Sequence, residues 1–316
     1  MKRTFLSLIT PLLLSVITFF SGNTLAEIKV VVSIMPIHSL VSGLMSGAGE
    51  PYLLLKSNQS PHSMTLKPSD ARTLNQADLI VWVGETLESP LAHLIEQVDG
   101  DSKTVSLLDI PALHLLPTRS DLDWSHHHHT LTPPIPHAHA HDKNVDNHIW
   151  LSPDNARVIV NYLSEVLSRL DPDNRELYKK NLNRLLNRLD TMEHEFFANI
   201  SQSTDVPFIV FHDAYQYLED HFGLNAVGSV SISPDRLSGA KHIHQLREKI
   251  HRLNARCVFS EPQFQPKLVG TLVSGTPASA GTLDPLGGTL SPGEDAYFKL
   301  MQGLSENLAS CLSGAR

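Results

Sequence analysis

Residues 28–45 begin with the stretch Ile28-Lys29-Val30-Val31-Val32-Ser33 and continue with apolar residues at helical spacing from Ile34 to Met45. The first part is rich in β-branched residues and has no polar alternation, which predicts a strand buried on both faces. The second part predicts a helix that follows the strand directly. A buried strand followed by a helix is the unit from which parallel, helix-covered sheets are built.

The same alternation recurs along the rest of the chain. Further strands are predicted at residues 53–55, 78–84, 104–107, 208–211, 224–229, 257–260 and 282–283. Further helices are predicted at residues 68–77, 153–170, 214–221, 237–253 and 294–312. This pattern predicts an α/β protein in which the strands form parallel sheets.

One predicted helix is longer than the others. It begins at Asp171-Pro172 and runs to about Ile200. Its apolar residues recur three and four positions apart: Tyr178, Leu182, Leu185, Leu189, Met192 and Phe196. At 1.5 Å per residue its roughly 28 residues would span ~40 Å, enough to run along two lobes. The fold class we expect is therefore two parallel-sheet α/β lobes, residues 27–170 and 201–316, joined by a bridging helix at 171–200. An ordinary long core helix would show the same apolar stripe.

The N-terminus has the features of a secretory signal peptide. Lys2 and Arg3 precede an apolar run at residues 5–20, and Thr24-Leu25-Ala26 supplies small residues for cleavage after Ala26. The alternative is a membrane anchor, but the run is short of the ~20 apolar residues that a spanning helix needs and Pro11 interrupts it. We expect a soluble exported protein.

The composition narrows the classes of function. Lys and Arg total 25 against 33 Asp and Glu, so the formal charge of −8 argues against a nucleic-acid-binding protein. The chain has 18 histidines, which points toward metal binding. Its two cysteines, Cys257 and Cys311, predict a disulfide in an oxidising compartment, and a pair of thiolate metal ligands is the less favoured alternative.

Residues 117–147 differ from their surroundings. They have no apolar periodicity and contain several prolines, which predicts a mobile loop. Seven histidines fall within the loop: His126, His127, His128, His129, His137, His139 and His141.

Three other histidines stand in loops or at the ends of elements, where ligands are usually carried. His62 lies in the turn Ser60-Pro61-His62, His148 directly precedes a helix cap, and His212 follows the strand at residues 208–211. Asp284 follows a short strand in the same way. Three neutral imidazoles with a carboxylate or a water as fourth group would suit tetrahedral Zn²⁺, although spacing alone does not bring them together.

Several motifs carry a resemblance to a known family, and they occur in the family's order along the mature chain. They are Ser60-Pro61-His62, Leu66-Lys67-Pro68-Ser69-Asp70, Ala77-Asp78-Leu79-Ile80-Val81-Trp82-Val83-Gly84, Asp146-Asn147-His148-Ile149-Trp150-Leu151-Ser152-Pro153, Phe211-His212-Asp213-Ala214-Tyr215 and Thr282-Leu283-Asp284-Pro285-Leu286-Gly287. Together they resemble the periplasmic zinc-binding proteins that feed ABC importers, the cluster A-I metal-binding solute-binding proteins.

The resemblance implies a metal site in the cleft between the lobes, with His62, His148 and His212 as ligands. Manganese-preferring relatives have a carboxylate at the third position, so His212 favours zinc. Asp284 matches a carboxylate that coordinates in those relatives, and either Asp284 or a water would complete the site. Some zinc members have a glutamate before the first histidine, where this chain has Pro61. Glu261 resembles a family residue near the lobe interface, and we interpret it as structural.

The resemblance also implies the function, partners and location. We expect a periplasmic receptor that binds Zn²⁺ and delivers it to an inner-membrane ABC permease and, through the permease, to an ATPase subunit. A periplasmic zinc chaperone is a further expected partner, and we expect a monomer. The family carries a disulfide that matches the two cysteines. It also carries a histidine-rich loop, for which we expect weak accessory metal binding; a solvated loop with no transport role is the alternative.

Two other classes of function share some of these features. A secreted zinc hydrolase could use three histidines and a water, but the helical His-Glu-x-x-His motif is absent from the sequence, so we do not expect an enzyme. A periplasmic metal buffer would share every ligand and lack only a docking surface. We interpret the remaining helical histidines as surface or packing residues, namely His38, His93, His242, His244 and His251.

Overall fold

The computed structural model describes residues 27–56, 59–98, 103–119, 124, 144–231, 239–264 and 267–314. The predicted signal peptide and the seven histidines of residues 126–141 lie outside these ranges. No helix in the described ranges is long and apolar enough to cross a membrane.

The first half of the chain forms a parallel four-stranded sheet. Its strands are β1 (Val30–Val32), β2 (Tyr52–Leu53), β3 (Leu79–Trp82) and β4 (Thr104–Ser106), in the order β2-β1-β3-β4. Helices α1 (Met35–Met45), α2 (Pro68–Asn75) and α3 (Ser89–Ile95) connect them, and α4 (Pro153–Leu170) follows. Strands β1 and β3 are fully buried, as their uninterrupted apolar sequence predicts.

The second half repeats this topology. Its strands are β5 (Phe208–Val210), β6 (Ala226–Ser229), β7 (Cys257–Ser260) and β8 (Ser279–Thr282), in the order β6-β5-β7-β8, all parallel. Its helices are α6 (Gln216–Phe222), α7 (Ala240–Leu253), α8 (Lys267–Val273) and α9 (Ala296–Leu312). The predicted α/β class with two parallel sheets is confirmed.

The long helix predicted between the halves is present. A short 3₁₀ turn at Pro172–Asn174 leads into α5 (Arg175–Ile200), a helix of 26 residues. Its buried face carries Tyr178, Leu185, Leu189, Met192 and Phe196, five of the six residues whose spacing predicted it.

Helix α9 also joins the halves, which the sequence did not indicate. It packs against both α5 and α1. The Tyr297 backbone N–H donates to Ser39 Oγ at 2.9 Å, and the Tyr297 hydroxyl donates to the carbonyl of Trp150 at 2.9 Å. One hydrophobic core therefore runs through residues of both halves, and the second half has a separate smaller core beneath α7 and α8.

The remaining differences from prediction concern short elements. Helices α3 and α8 have seven residues each; α3 contains His93, which was expected in a helical segment, and α8 was not predicted. Strand β8 begins at Ser279, earlier than the predicted 282–283, because its backbone pairs with β7 from Cys257 onward. The predicted disulfide is confirmed: it joins Cys257 in β7 to Cys311 in α9.

Candidate metal centre

The three histidines singled out from the sequence come from three separate segments. His62 lies in a 3₁₀ turn, Pro61–Ser63, whose N-cap Ser60 accepts a hydrogen bond from the His62 backbone N–H. His148 directly precedes another 3₁₀ turn, Ile149–Leu151. His212 lies two residues beyond β5, at the carboxyl edge of the second sheet, where ligands of open α/β sheets bind.

The fold brings these three side chains together. One ring nitrogen from each lies within 4.8 Å of the other two, and in the described part of the chain this is the group of His, Cys, Asp and Glu side chains that could hold a metal ion. The ring centroids are 5.2 Å apart for His148 and His212, and 5.8 Å and 6.0 Å from His62 to these two.

Two of the three rings are oriented by buried carboxylates. His148 Nδ1 lies 2.7 Å from Asp146 Oδ1, and His212 Nδ1 lies 2.7 Å from Glu261 Oε1. An ionised carboxylate only accepts hydrogen bonds, so Nδ1 carries the proton wherever its partner is ionised. Burial raises the pKa of Asp146 to about 7, so for His148 this arrangement holds above that pH. This leaves the Nε2 lone pair of both rings available, and these two Nε2 atoms are 3.3 Å apart.

The electrostatic environment differs among the three rings. Burial, together with the neighbouring histidines, lowers the pKa of His62 and of His148 well below the usual value. Burial also acts on His212, but the Glu261 carboxylate outweighs it and raises the pKa of His212. Two of the rings are therefore neutral at neutral pH, which is the form that binds metal.

The three imidazoles line a small, partly open cavity that has room for about one water-sized occupant. Much of its wall is apolar, from Pro61, Trp150, Phe264, Pro285 and Leu286. Trp150 is fully buried, contacts the His148 ring edge-on and donates from its indole N–H to the carbonyl of Pro285, 2.8 Å away in the second half. Residues of both halves thus line the cavity.

Asp284 lies outside the three-histidine group. Its Oδ1 accepts hydrogen bonds from Gln263 Nε2 at 2.9 Å and from the backbone N–H groups of Leu286 and Gly287 at 3.2 Å and 3.0 Å. Asp284 therefore fixes the turn that follows β8, and through Gln263 it contacts the cavity wall.

Sequence reasoning missed the residues that support the histidines. Asp146 was not singled out, and Glu261 was interpreted as structural, although it is 2% exposed and binds the His212 ring. Two signals were available: Asp146 stands two residues before His148, and Glu261 directly follows β7, the strand that pairs with β5.

Arg119 was also missed, and it ties the two halves together beside the site. Its guanidinium lies 3.3 Å from Asp213 Oδ1 and 2.7 Å from Glu219 Oε2, both in the second half. The Trp124 ring stacks on the guanidinium, 4.2 Å from its centre. The side chain is only 16% exposed, so these charges are largely shielded from water.

The histidines expected to be surface or packing residues are so placed. His38 is buried, with Nε2 2.9 Å from the carbonyl of Pro51, and His242 is partly buried, with Nε2 3.0 Å from the carbonyl of Ser229. His93, His244 and His251 are exposed.

Comparison with known proteins agrees with this geometry. Residues 30–311 match the family described as ZnuA, zinc-uptake complex component A, periplasmic. The chain is 39% identical to the high-affinity zinc uptake system protein ZnuA of Brucella suis biovar 1 (strain 1330), over 93% of this chain and 95% of that protein. It is 33% identical to the protein of the same name from Yersinia pestis, over 95% and 96%.

Solved structures show the same fold. A crystal structure of ZnuA superposes with a TM-score of 0.72 at 22% identity, over 90% of this chain and 99% of that one. A ZnuA deletion mutant with zinc bound gives a TM-score of 0.73 at 22% identity, over 92% and 100%. With the family match over most of the chain and the relatives above 30% identity, the conclusion is that this chain belongs to the ZnuA family of periplasmic zinc-uptake components.

Proposed function

We propose that His62, His148 and His212 bind one Zn²⁺ ion in the cavity between the two halves, and that the chain delivers this ion to a membrane permease for high-affinity zinc uptake. The family is one of substrate-binding transport proteins, so the chain is a receptor and not an enzyme. Zinc is its cargo.

The observation that carries the proposal is the pair of Nε2 atoms of His148 and His212, 3.3 Å apart with both Nδ1 protons committed to carboxylates. Two nitrogens at this distance are held together either by a cation between them or by a proton on one of them, and the raised pKa of His212 supplies that proton when no metal is bound. Zinc–nitrogen bonds of ~2.0–2.1 Å in tetrahedral geometry put neighbouring nitrogen ligands about 3.4 Å apart. The spacing therefore suits a tetrahedral zinc ion.

The type of ligand also favours zinc. Three imidazoles suit Zn²⁺, whereas Mn²⁺ prefers oxygen ligands and a larger coordination number. The carboxylates of Asp146 and Glu261 contact the rings through Nδ1, so they raise the basicity of the ligands and hold their orientation.

The wider assignment follows from the family and the sequence. We infer residues 27–170 and 201–316 as the two lobes and 171–200 as the bridge, with the signal peptide removed after Ala26 and the mature protein acting in the periplasm. The family implies a cognate ABC permease and its ATPase as partners. A zinc chaperone, a monomeric receptor and weak metal binding by the loop histidines are further parts of this proposal.

The first experiment is a calorimetric zinc titration of residues 27–316, alone and with manganese as competitor. A variant lacking residues 125–141 is titrated in parallel. We expect one tight zinc site that survives the deletion, weaker sites that disappear with it, and no displacement by manganese. Loss of the tight site with the loop, or displacement by manganese, would contradict the proposal.

The ligand assignment is tested by His212→Ala, with His93→Ala as the matched control because His93 is exposed. Removing one of three ligands is expected to weaken zinc binding on the order of a hundredfold or more, beyond the usual effect of a supporting residue. The control should bind as the unaltered protein does. If His212→Ala retained the tight site, His212 would not be a ligand.

A further inference from the structure

Gln263 has a defined amide orientation beside the three histidines. It lines the same cavity, in the loop after β7. Its Nε2 donates to Asp284 Oδ1 at 2.9 Å. Because a carboxylate oxygen requires a donor, the amide cannot be turned the other way, and the Gln263 oxygen must face away from Asp284.

That oxygen has no hydrogen-bond partner among the residues that the structure describes. Gln263 Oε1 is buried and makes no hydrogen bond with any residue in the described ranges, and the same holds for Asp284 Oδ2. Buried polar atoms are nearly always hydrogen-bonded, since leaving one unpaired costs about 1–3 kcal/mol. An unpaired acceptor on a side chain of the cavity wall therefore indicates a donor that occupies the cavity together with the metal.

A zinc ion bound by three histidines has one further position. The fourth ligand in open zinc sites is usually a water, whose hydrogens are strong donors once it is bound to the metal. A carboxylate in this position would offer no hydrogen to Gln263 Oε1, whereas a metal-bound water offers two, so a water matches the acceptor.

We propose that the Gln263 carbonyl oxygen accepts a hydrogen bond from a water molecule that is the fourth ligand of the bound Zn²⁺. Gln263 is then a positioning residue for the ion, held in place by Asp284, and Asp284 acts on the metal only through Gln263. This inference rests on the proposed function, because it requires zinc on His62, His148 and His212.

The single acceptor on Gln263 affects which metal ions the site prefers. Gln263 supplies a single acceptor for the fourth ligand. An octahedral ion with three imidazoles needs three further ligands, and Gln263 would orient only one of them. Gln263 therefore favours four-coordinate ions over six-coordinate ones.

The test compares Gln263→Leu with Gln302→Leu. Gln302 is an exposed glutamine on α9 whose side chain donates to Glu306, so it controls for the substitution itself. In Gln263→Leu we expect the dissociation constant for zinc to rise about tenfold, the lower end of what loss of a supporting residue costs. Gln302→Leu should bind zinc as the unaltered protein does.

A spectroscopic measurement shows whether Gln263 orients the metal-bound water or only fills space in the cavity wall. The Co²⁺ form in heavy water should show deuterons of a metal-bound water by pulsed EPR in the unaltered protein. Gln263→Leu should alter both this signal and the visible Co²⁺ spectrum. Gln263→Met, which keeps the length and bulk of the side chain, serves as a second variant if Gln263→Leu fails to fold, with the same expected changes.

The outcomes separate the two proposals. Unchanged zinc affinity and an unchanged Co²⁺ spectrum in the Gln263 variants would overturn the role of Gln263, as would the absence of deuterons on the metal in the unaltered protein. If His212→Ala abolishes tight binding in the same assay, the proposed function stands whichever result Gln263 gives.

Discussion

The two sheets have the same strand order, but their carboxyl edges carry different chemistry. After β1 the first half has Ser33, whereas after the equivalent strand β5 the second half has His212. After β3 the first half has the buried Glu88, whose Oε2 accepts from the backbone N–H groups of Val83 and Gly84. After β7 the second half has Glu261, which binds the His212 ring.

The carboxylates that follow the strands have different roles in the two halves, although the strand order is the same. In the second half the strand edge presents a histidine and the carboxylate that orients it. In the first half the corresponding carboxylate stabilises its own turn, and the histidines come from the turn at Pro61–Ser63 and from the segment before α4. A shared strand order therefore does not determine which loops supply the ligands.

The largest loss of stability is expected from removing the ion pairs of Arg119, which join the two halves. Replacing Arg119 by Met would leave the buried carboxylates of Asp213 and Glu219 without their cation, which typically costs about 3–5 kcal/mol. Urea unfolding of the zinc-free protein measures the loss. Lys179→Met is the control: its ion pair with Glu176 is exposed and should be worth less than about 1 kcal/mol. Equal effects of the two substitutions would show that the Arg119 contacts do not hold the halves together.

The disulfide joins two elements of the second half, and its removal should lower the stability of the whole shared core. Cys257 and Cys311 are 54 residues apart, so on the loop-entropy relation the link destabilises the unfolded chain by about 4 kcal/mol. Cys257→Ser with Cys311→Ser should lower the free energy of unfolding by roughly this amount. Because α9 and both sheets share one hydrophobic core, hydrogen exchange should show the same loss at the slowest-exchanging amides of both sheets, and a loss confined to β7 and α9 would contradict it.

Glu88 predicts a pH dependence of the stability. Burial raises the pKa of Glu88 to about 7 from 4.5, so the folded state disfavours the ionised form. The free energy of unfolding therefore begins to fall as the pH rises above 4.5. The fall is complete above pH 7 and amounts to about 3 kcal/mol.

Glu88→Gln removes this penalty. The difference in unfolding free energy between the variant and the unaltered protein should grow by about 2 to 3 kcal/mol in favour of the variant as the pH rises from 5 to 8. Thermal unfolding at each pH measures it. A difference between the two proteins that stays constant with pH would mean that Glu88 is ionised in the fold without penalty.

The smallest expected effect is on zinc affinity, and it distinguishes Glu261 from Glu88. Glu261→Gln should weaken zinc binding about tenfold, since the His212 ring loses a charged partner. Glu88→Gln should leave the zinc affinity unchanged, because Glu88 bonds to backbone and not to a ligand ring. Calorimetry on both variants tests this, and a similar loss in both would remove the distinction between the two edges.

The sequence was sufficient for most of the regular elements and for singling out the three histidines that the fold brings together. Uninterrupted apolar runs such as Val30–Val32 and the heptad-like face of α5 predict elements because buried strands and amphipathic helices each require apolar residues at a characteristic spacing. The short helix α8 was missed because its seven residues are too few to show such a period.

Contacts between distant residues could not be predicted in the same way. Glu261 and His212 are 49 positions apart and meet only because β5 and β7 are neighbours. Arg119 reaches Glu219 across 100 positions. No local pattern marks such partners, so the residues that orient the histidines emerge only from the packed structure.

The continuous core has a consequence for how the molecule comes apart. Residues of β1, α1, α5, β5 and α9 share one hydrophobic cluster, so neither sheet can lose its packing without exposing the other. The main body should melt as a single cooperative unit, with equal calorimetric and van't Hoff enthalpies. The layer of α7 and α8 has its own core, so it is the part that can open first. Because Phe264 packs against that core and also lines the three-histidine cavity, such an opening would loosen the cavity wall.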